Sequence, residues 1–139
     1  MILVFAANYI IEFISAHIFY SSAAEKKYKP IYCYLIGGGL FTFGFLIQFL
    51  FHHMVWLNLL VYILIDVLYA YLCFQLNIKK SIFYGFIVTL VGVIWEVLVA
   101  FAVGAFADVS ALALLTDVFI AAITTVLSRG LLFITVLIL

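Results

Sequence analysis

Five near-continuous apolar runs follow one another along this chain, at residues 2–21, 31–51, 55–74, 82–104 and 116–139. A helix needs about 20 apolar residues to cross the hydrocarbon core of a bilayer. Within lipid every backbone N–H and C=O must be satisfied inside the protein, which leaves helices or a closed barrel. The runs are too long for barrel strands and lack their two-residue alternation. Hydrophobic residues make up 71% of the chain and charged residues 9%, with mean hydropathy +1.44. Soluble domains are about half apolar and a quarter charged, and a 139-residue domain could not hide this much apolar surface from water. The expected fold is all-α: a polytopic transmembrane helix bundle of five spans in one domain, residues 1–139, with the lipid bilayer as its solvent.

The lysines set an orientation. Lys26, Lys27 and Lys29 fall in the first loop, residues 22–30, and Lys79 and Lys80 in the third, residues 75–81. The second turn carries His52 and His53, and the fourth link, residues 105–115, carries Asp108 and Ser110. Basic residues mark cytoplasmic loops. The first and third loops are therefore expected in the cytoplasm of a multi-pass plasma-membrane protein, with the N-terminus outside. The N-terminal run lacks the basic start and cleavage site of a secretory signal and reads as a retained span. No lipid-anchor motif stands at either end. The last run is still apolar at Leu139 without a basic anchor, so the expectation is a chain truncated at its C-terminus.

Glu12, Asp66, Glu96 and Arg129 lie near the middle of their runs. Each ionised group at the bilayer centre costs roughly 2.5–3.5 kcal/mol on insertion scales, and such groups face the bundle interior and find partners. At 1.5 Å per residue, Glu96 is about 21 Å from the inner start of its span and Arg129 about 20 Å from the outer start of its own. In a ~30 Å core those depths overlap, so an Arg129–Glu96 ion pair is expected, with Asp66 as the competing partner. Small and hydroxylated residues support these faces: Gly92, Ala100 and Gly104 share the stripe of Glu96, and Ala121, Thr125, Ser128 and Thr135 flank Arg129. Such residues let helices approach and bond across. Gly37 and Gly44 mark another close approach. Tyr62, Asp66 and Tyr69 share a stripe, so a phenol is expected to donate to the carboxylate. Ser15 and Ala16 share the face of Glu12, with His17 deeper toward the cytoplasm. Two readings stay open: pairing that only holds the bundle together, or a polar cavity that binds a signal or couples a conformational change. A buried carboxylate without a partner is expected to be neutral.

Other features carry less. Cys33 and Cys73 end apolar runs on the expected cytoplasmic side and read as ordinary free thiols, neither a structural disulfide nor a metal site. His52-His53 reads as a polar outer turn; neighbouring histidines cannot both aim at one ion from a regular helix. Trp56, Trp95 and the many other aromatics read as lipid-facing or interfacial. Gly37-Gly38-Gly39 sits inside an apolar run and is no phosphate loop. No nucleophile elbow or zinc-protease spacing occurs, and zero net charge gives no nucleic-acid footprint. No catalysis, cofactor or metal is expected in this chain.

The layout resembles the membrane sensor region of GHKL-type receptor histidine kinases, including quorum-sensing peptide receptors of the accessory-gene-regulator and bacteriocin-induction type. The resemblance rests on short stretches along the whole chain. These are Tyr9-Ile-Ile-Glu-Phe-Ile-Ser15, Glu25-Lys-Lys-Tyr-Lys29, Asn77-Ile-Lys-Lys-Ser-Ile-Phe-Tyr84, Val93-Ile-Trp-Glu-Val97 and Leu127-Ser-Arg-Gly-Leu-Leu-Phe-Ile134. It implies a bundle that detects an extracellular peptide or another signal and passes the change to a cytoplasmic dimerisation helix pair. A homodimer is then the expected assembly, and the ATP-dependent kinase activity of a two-component system belongs to a parent protein, since this chain departs from the family in lacking the phospho-acceptor and ATP-binding parts. The alternative, from a different class, is a small membrane transporter or the substrate-binding component of an uptake system.

Overall fold

In the computed structural model, which describes residues 2–51, 53–107 and 118–138, the apolar runs form helices. They are α1 (Ile2–Ala23), α2 (Pro30–Leu50), α3 (Val55–Cys73), α4 (Ile78–Ala107) and α5 (Val118–Ile138). Among the described residues no strand forms. A single isolated antiparallel bridge joins Lys26 to Phe74. Three helices are long and apolar enough to cross a membrane, over Pro30–Leu50, Trp56–Cys73 and Ile78–Ala105. In α1, Asn8, Glu12, Ser15 and His17 interrupt the apolar run. The fourth link falls outside the described residues from Asp108 onward, and so does His52.

Local chemistry sets several boundaries. Pro30 occupies the first turn of α2, where its missing N–H is unneeded and its fixed φ suits a helix. Asn77 caps α4: its Oδ1 accepts the backbone N–H of Lys80 at 2.9 Å, satisfying one of the free donors at a helix start. α4 therefore begins before Ile82, and Lys79 and Lys80, expected in a loop, form its first turn.

Each helix packs on its chain neighbours, and α5 also packs on α1, closing a ring. The first four alternate in direction. His17 faces Tyr34 and Phe13 faces Phe41, while Tyr9 lies against Phe45. On the other side of α2, Gln48 meets Tyr62 near one end and Cys33 meets Cys73 near the other. Asp66 meets Thr89 between α3 and α4. α3 and α4 come close at Gly85, where an added Cβ would stand 2.9 Å from the Val67 nitrogen. Gly37 and Gly44 are buried, and a Cβ on either would run into Phe13 or Ile65 respectively.

Exposure is inverted relative to a soluble protein. Trp56 is 84% exposed and Phe101 75%, while Glu12 is 1% and Asp66 0% exposed. The interior between α1, α2 and α3 is aromatic, built from Tyr9, Tyr20, Phe41, Tyr69 and Phe74. The links at one end of the bundle are tied together. Lys27 N–H donates to the Cys73 carbonyl and Gln75 N–H to the Glu25 carbonyl, both at 2.8 Å. The Lys27 ammonium also donates to the Tyr71 carbonyl.

Candidate functional site: a buried charge centre

Arg129, carried by α5, places Nη1 3.5 Å from Oε1 of Glu12 on α1. Both side chains are buried. This corrects the expectation for Arg129: its ion-pair partner is Glu12, and neither Glu96 nor Asp66 pairs with it among the described residues. Depth along the spans admits Glu96 and Asp66, whereas the ring lays α5 against α1 as well as α4. Glu96 is half-buried on α4 and makes no ion pair among the described residues.

The guanidinium is framed from two further sides. Tyr62 of α3 presents its ring face, with the Arg129 Cζ 5.3 Å from the centroid, an arrangement in which the ring quadrupole attracts the cation. From α4, Gly92 leaves the space the guanidinium occupies: a Cβ there would lie 2.8 Å from Nη1. Tyr62 is itself held by its hydroxyl, which donates to Gln48 Oε1 at 3.2 Å. Its ring stacks on Tyr9, centroids 5.0 Å apart and planes inclined by 15°. Four of the five helices thus touch the arginine or the residue beneath it.

Asp66 forms a second polar node. Its Oδ2 accepts the Thr89 hydroxyl at 2.9 Å, and the same hydroxyl lies 3.1 Å from the Gly85 carbonyl. The expectation that Tyr62 or Tyr69 would donate to Asp66 is therefore also corrected. A phenol carries its hydroxyl beyond the side chains of its own helix, so Tyr62 reaches Gln48 of α2 and Tyr69 reaches His17 of α1, whose Nδ1 is 2.5 Å from the Tyr69 hydroxyl. The short Thr89 side chain, facing Asp66 across the helix interface, takes the carboxylate instead. Ser128 is buried, but its hydroxyl donates to the Thr125 carbonyl of its own helix at 2.9 Å. Trp95, expected at the lipid surface, is half-buried and donates to Thr135 Oγ1 at 2.9 Å. His53 is exposed in the turn after α2.

Sequence reasoning passed over Thr89, Gln48 and Tyr9. Each is a polar atom inside an apolar run, the same signal that marked the ionisable residues. Thr89 and Gln48 are uncharged, and their value depends on which helix they face.

The centre has unused bonding capacity. Glu12 Oε2, Asp66 Oδ1 and Arg129 Nε are buried without a hydrogen-bond partner, although buried polar groups are nearly always satisfied. These are two free acceptors and one free donor in the interior of the bundle. Between α1 and α2 a groove of about 220 Å³ is lined by Tyr9, Phe13, Phe41 and Phe45. Tyr9 joins it to Tyr62 and so to Arg129. Among the described residues, no three His, Cys, Asp or Glu side chains converge as metal ligands. No protein-family model, curated protein or solved structure matches this chain.

Proposed function

We propose that this chain is the signal-sensing membrane domain of a two-component sensor histidine kinase, spanning the plasma membrane five times with its N-terminus outside. The observation that carries the reading is the Glu12–Arg129 ion pair, which closes the ring between the first helix and the last. Five spans of alternating direction packed in a closed ring must bring first and last together running the same way. Residues equally far along such a pair share a depth. Glu12 lies about 15 Å from the start of α1 and Arg129 about 17 Å from the start of α5, at 1.5 Å per residue. The pairing geometry therefore agrees with the five-span arrangement.

A ligand shifts a bundle between two packings only through contacts that differ between them. The centre supplies such contacts: Arg129 has Glu12 as partner, Asp66 and Glu96 within electrostatic reach, and Tyr62 beneath it. Re-pairing Arg129 would move α5 relative to α1, and α5 is the helix nearest any cytoplasmic output that follows it. An extracellular peptide or a lipid-borne molecule acting on the outer turns or the α1–α2 groove would reach Arg129 through Tyr9 and Tyr62.

The test uses membrane vesicles from cells expressing the intact gene, incubated with ATP. The expected outcome is a phosphorylated histidine on the same polypeptide, at a level per amount of inserted protein that shifts in Glu12→Gln and Arg129→Gln. A polypeptide without phosphohistidine, or one indifferent to both substitutions, overturns the sensor reading. Solute accumulation that depends on Glu12 would favour the transporter instead.

A further inference from the structure

Cys33 and Cys73 face one another across α2 and α3. Both are fully buried and free. The Cys33 Sγ lies 3.6 Å from the Cys73 carbonyl oxygen, and the Cys73 Sγ lies 3.9 Å from the Cys33 carbonyl oxygen. Each thiol reaching the other residue's backbone means that the two residues stand opposite one another with converging side chains. Disulfide bonding requires this placement, with Cα atoms roughly 4.4–6.8 Å apart.

The surroundings limit which reagent reaches the pair. Lys27 is fixed beside Cys73. Its backbone N–H donates to the Cys73 carbonyl at 2.8 Å, and its ammonium donates to the Tyr71 carbonyl while standing 4.6 Å from the Tyr71 ring centroid. Exchange proceeds through the thiolate of the attacking cysteine, and the facing cysteine then resolves the mixed disulfide. The link between α1 and α2 lies over the pair, and the Tyr28 carbonyl is 3.9 Å from the Cys33 Sγ. A charged reagent is kept out by this cover, whereas a small uncharged one can partition to the pair.

We propose that Cys33 and Cys73 are a dithiol modification site that closes to an intramolecular disulfide by exchange with a small uncharged disulfide. The Cys73 thiolate attacks one sulfur of the reagent, whose S–S bond breaks. A mixed disulfide forms and the first small thiol leaves. Cys33 then attacks the Cys73 sulfur, and the second small thiol leaves. The two protons lost by the cysteines end on the two released thiols, and the two electrons lost by the dithiol have reduced the reagent. The new bond ties the end of α3 to the start of α2 beneath the lysine-bearing link.

The full chain in lipid nanodiscs is treated with 4,4′-dithiodipyridine, which releases a chromophoric thione at each attack. Wild type is expected to release about two equivalents, retain no pyridyl adduct and lose two hydrogens in mass, with one peptide pair linked through Cys33 and Cys73. Cys33→Ser and Cys73→Ser, with Cys33→Ala and Cys73→Ala in case serine disturbs folding, are each expected to release about one equivalent and retain one adduct. Retained adducts on both wild-type cysteines overturn the proposal, as does a link between two chains. So does a wild type that reacts only after denaturation.

Discussion

Arg129 and Glu12 are each buried, so their energies are set by one another. Removing one charge leaves the other without compensation, which costs about 3–5 kcal/mol where it has been measured for buried pairs. Arg129→Leu is therefore expected to destabilise the bundle by about that amount, read from thermal unfolding in detergent micelles. Replacing both, as Glu12→Gln with Arg129→Met, removes the stranded charge and is expected to recover most of the loss. If the double variant is as unstable as the single, the pair is not the reason Arg129 matters. Thr89→Val strips Asp66 of its hydrogen bond, for which a cost of about 0.6 and at most about 1.7 kcal/mol is expected. The ionisable residues of this centre were legible because a charge inside an apolar run must face inward. Their pairing was not, because depth along a helix says nothing about which helices are neighbours around the ring. Glu12, Asp66 and Glu96 all lie at depths Arg129 can reach, and only the closure of α5 onto α1 selects Glu12.

At the scale of helices, the decisive contact is backbone against side chain at Gly85. A Cβ there would lie 2.9 Å from the Val67 nitrogen and 3.1 Å from its Cα, and backbone cannot rotate aside as a side chain can. Gly85→Ala is expected to force α3 and α4 apart at a cost of about 1–3 kcal/mol. Gly38→Ala, where an added Cβ meets nothing within 4 Å, is the control and is expected to be neutral or slightly stabilising. Equal unfolding temperatures for the two variants would mean that α3 and α4 do not pack backbone to backbone at Gly85. The existence of the helices was written in the apolar runs. Their ends were less so. Lys79 and Lys80 look like loop residues on a hydropathy scale, yet Asn77 caps a helix that includes both. Lysine stems run along apolar surface while the ammonium stays in water, so a helix extends past the point where its run of apolar residues ends.

For the whole molecule, the spread of lysines and the packing of the links bear on one question. The links after α1 and α3 hydrogen-bond to one another, so all five lysines gather at one end of the bundle, as their spacing in the sequence suggested. Juxtamembrane basic residues gain about 1 kcal/mol each near an anionic cytoplasmic leaflet. Five on one end against none in the turn holding His53 is a bias of several kcal/mol toward a single orientation. The prediction concerns single-cysteine variants in a background with Cys33 and Cys73 replaced by serine, treated in intact cells with a membrane-impermeant maleimide. His53→Cys is expected to label at once. Ser22→Cys and Asn77→Cys are expected to label only after permeabilisation. The reverse pattern would put the lysines outside and invert every span. Labelling of both Ser22→Cys and His53→Cys in intact cells would mean that α2 does not cross, and the alternation on which Glu12 and Arg129 share a depth would fail with it.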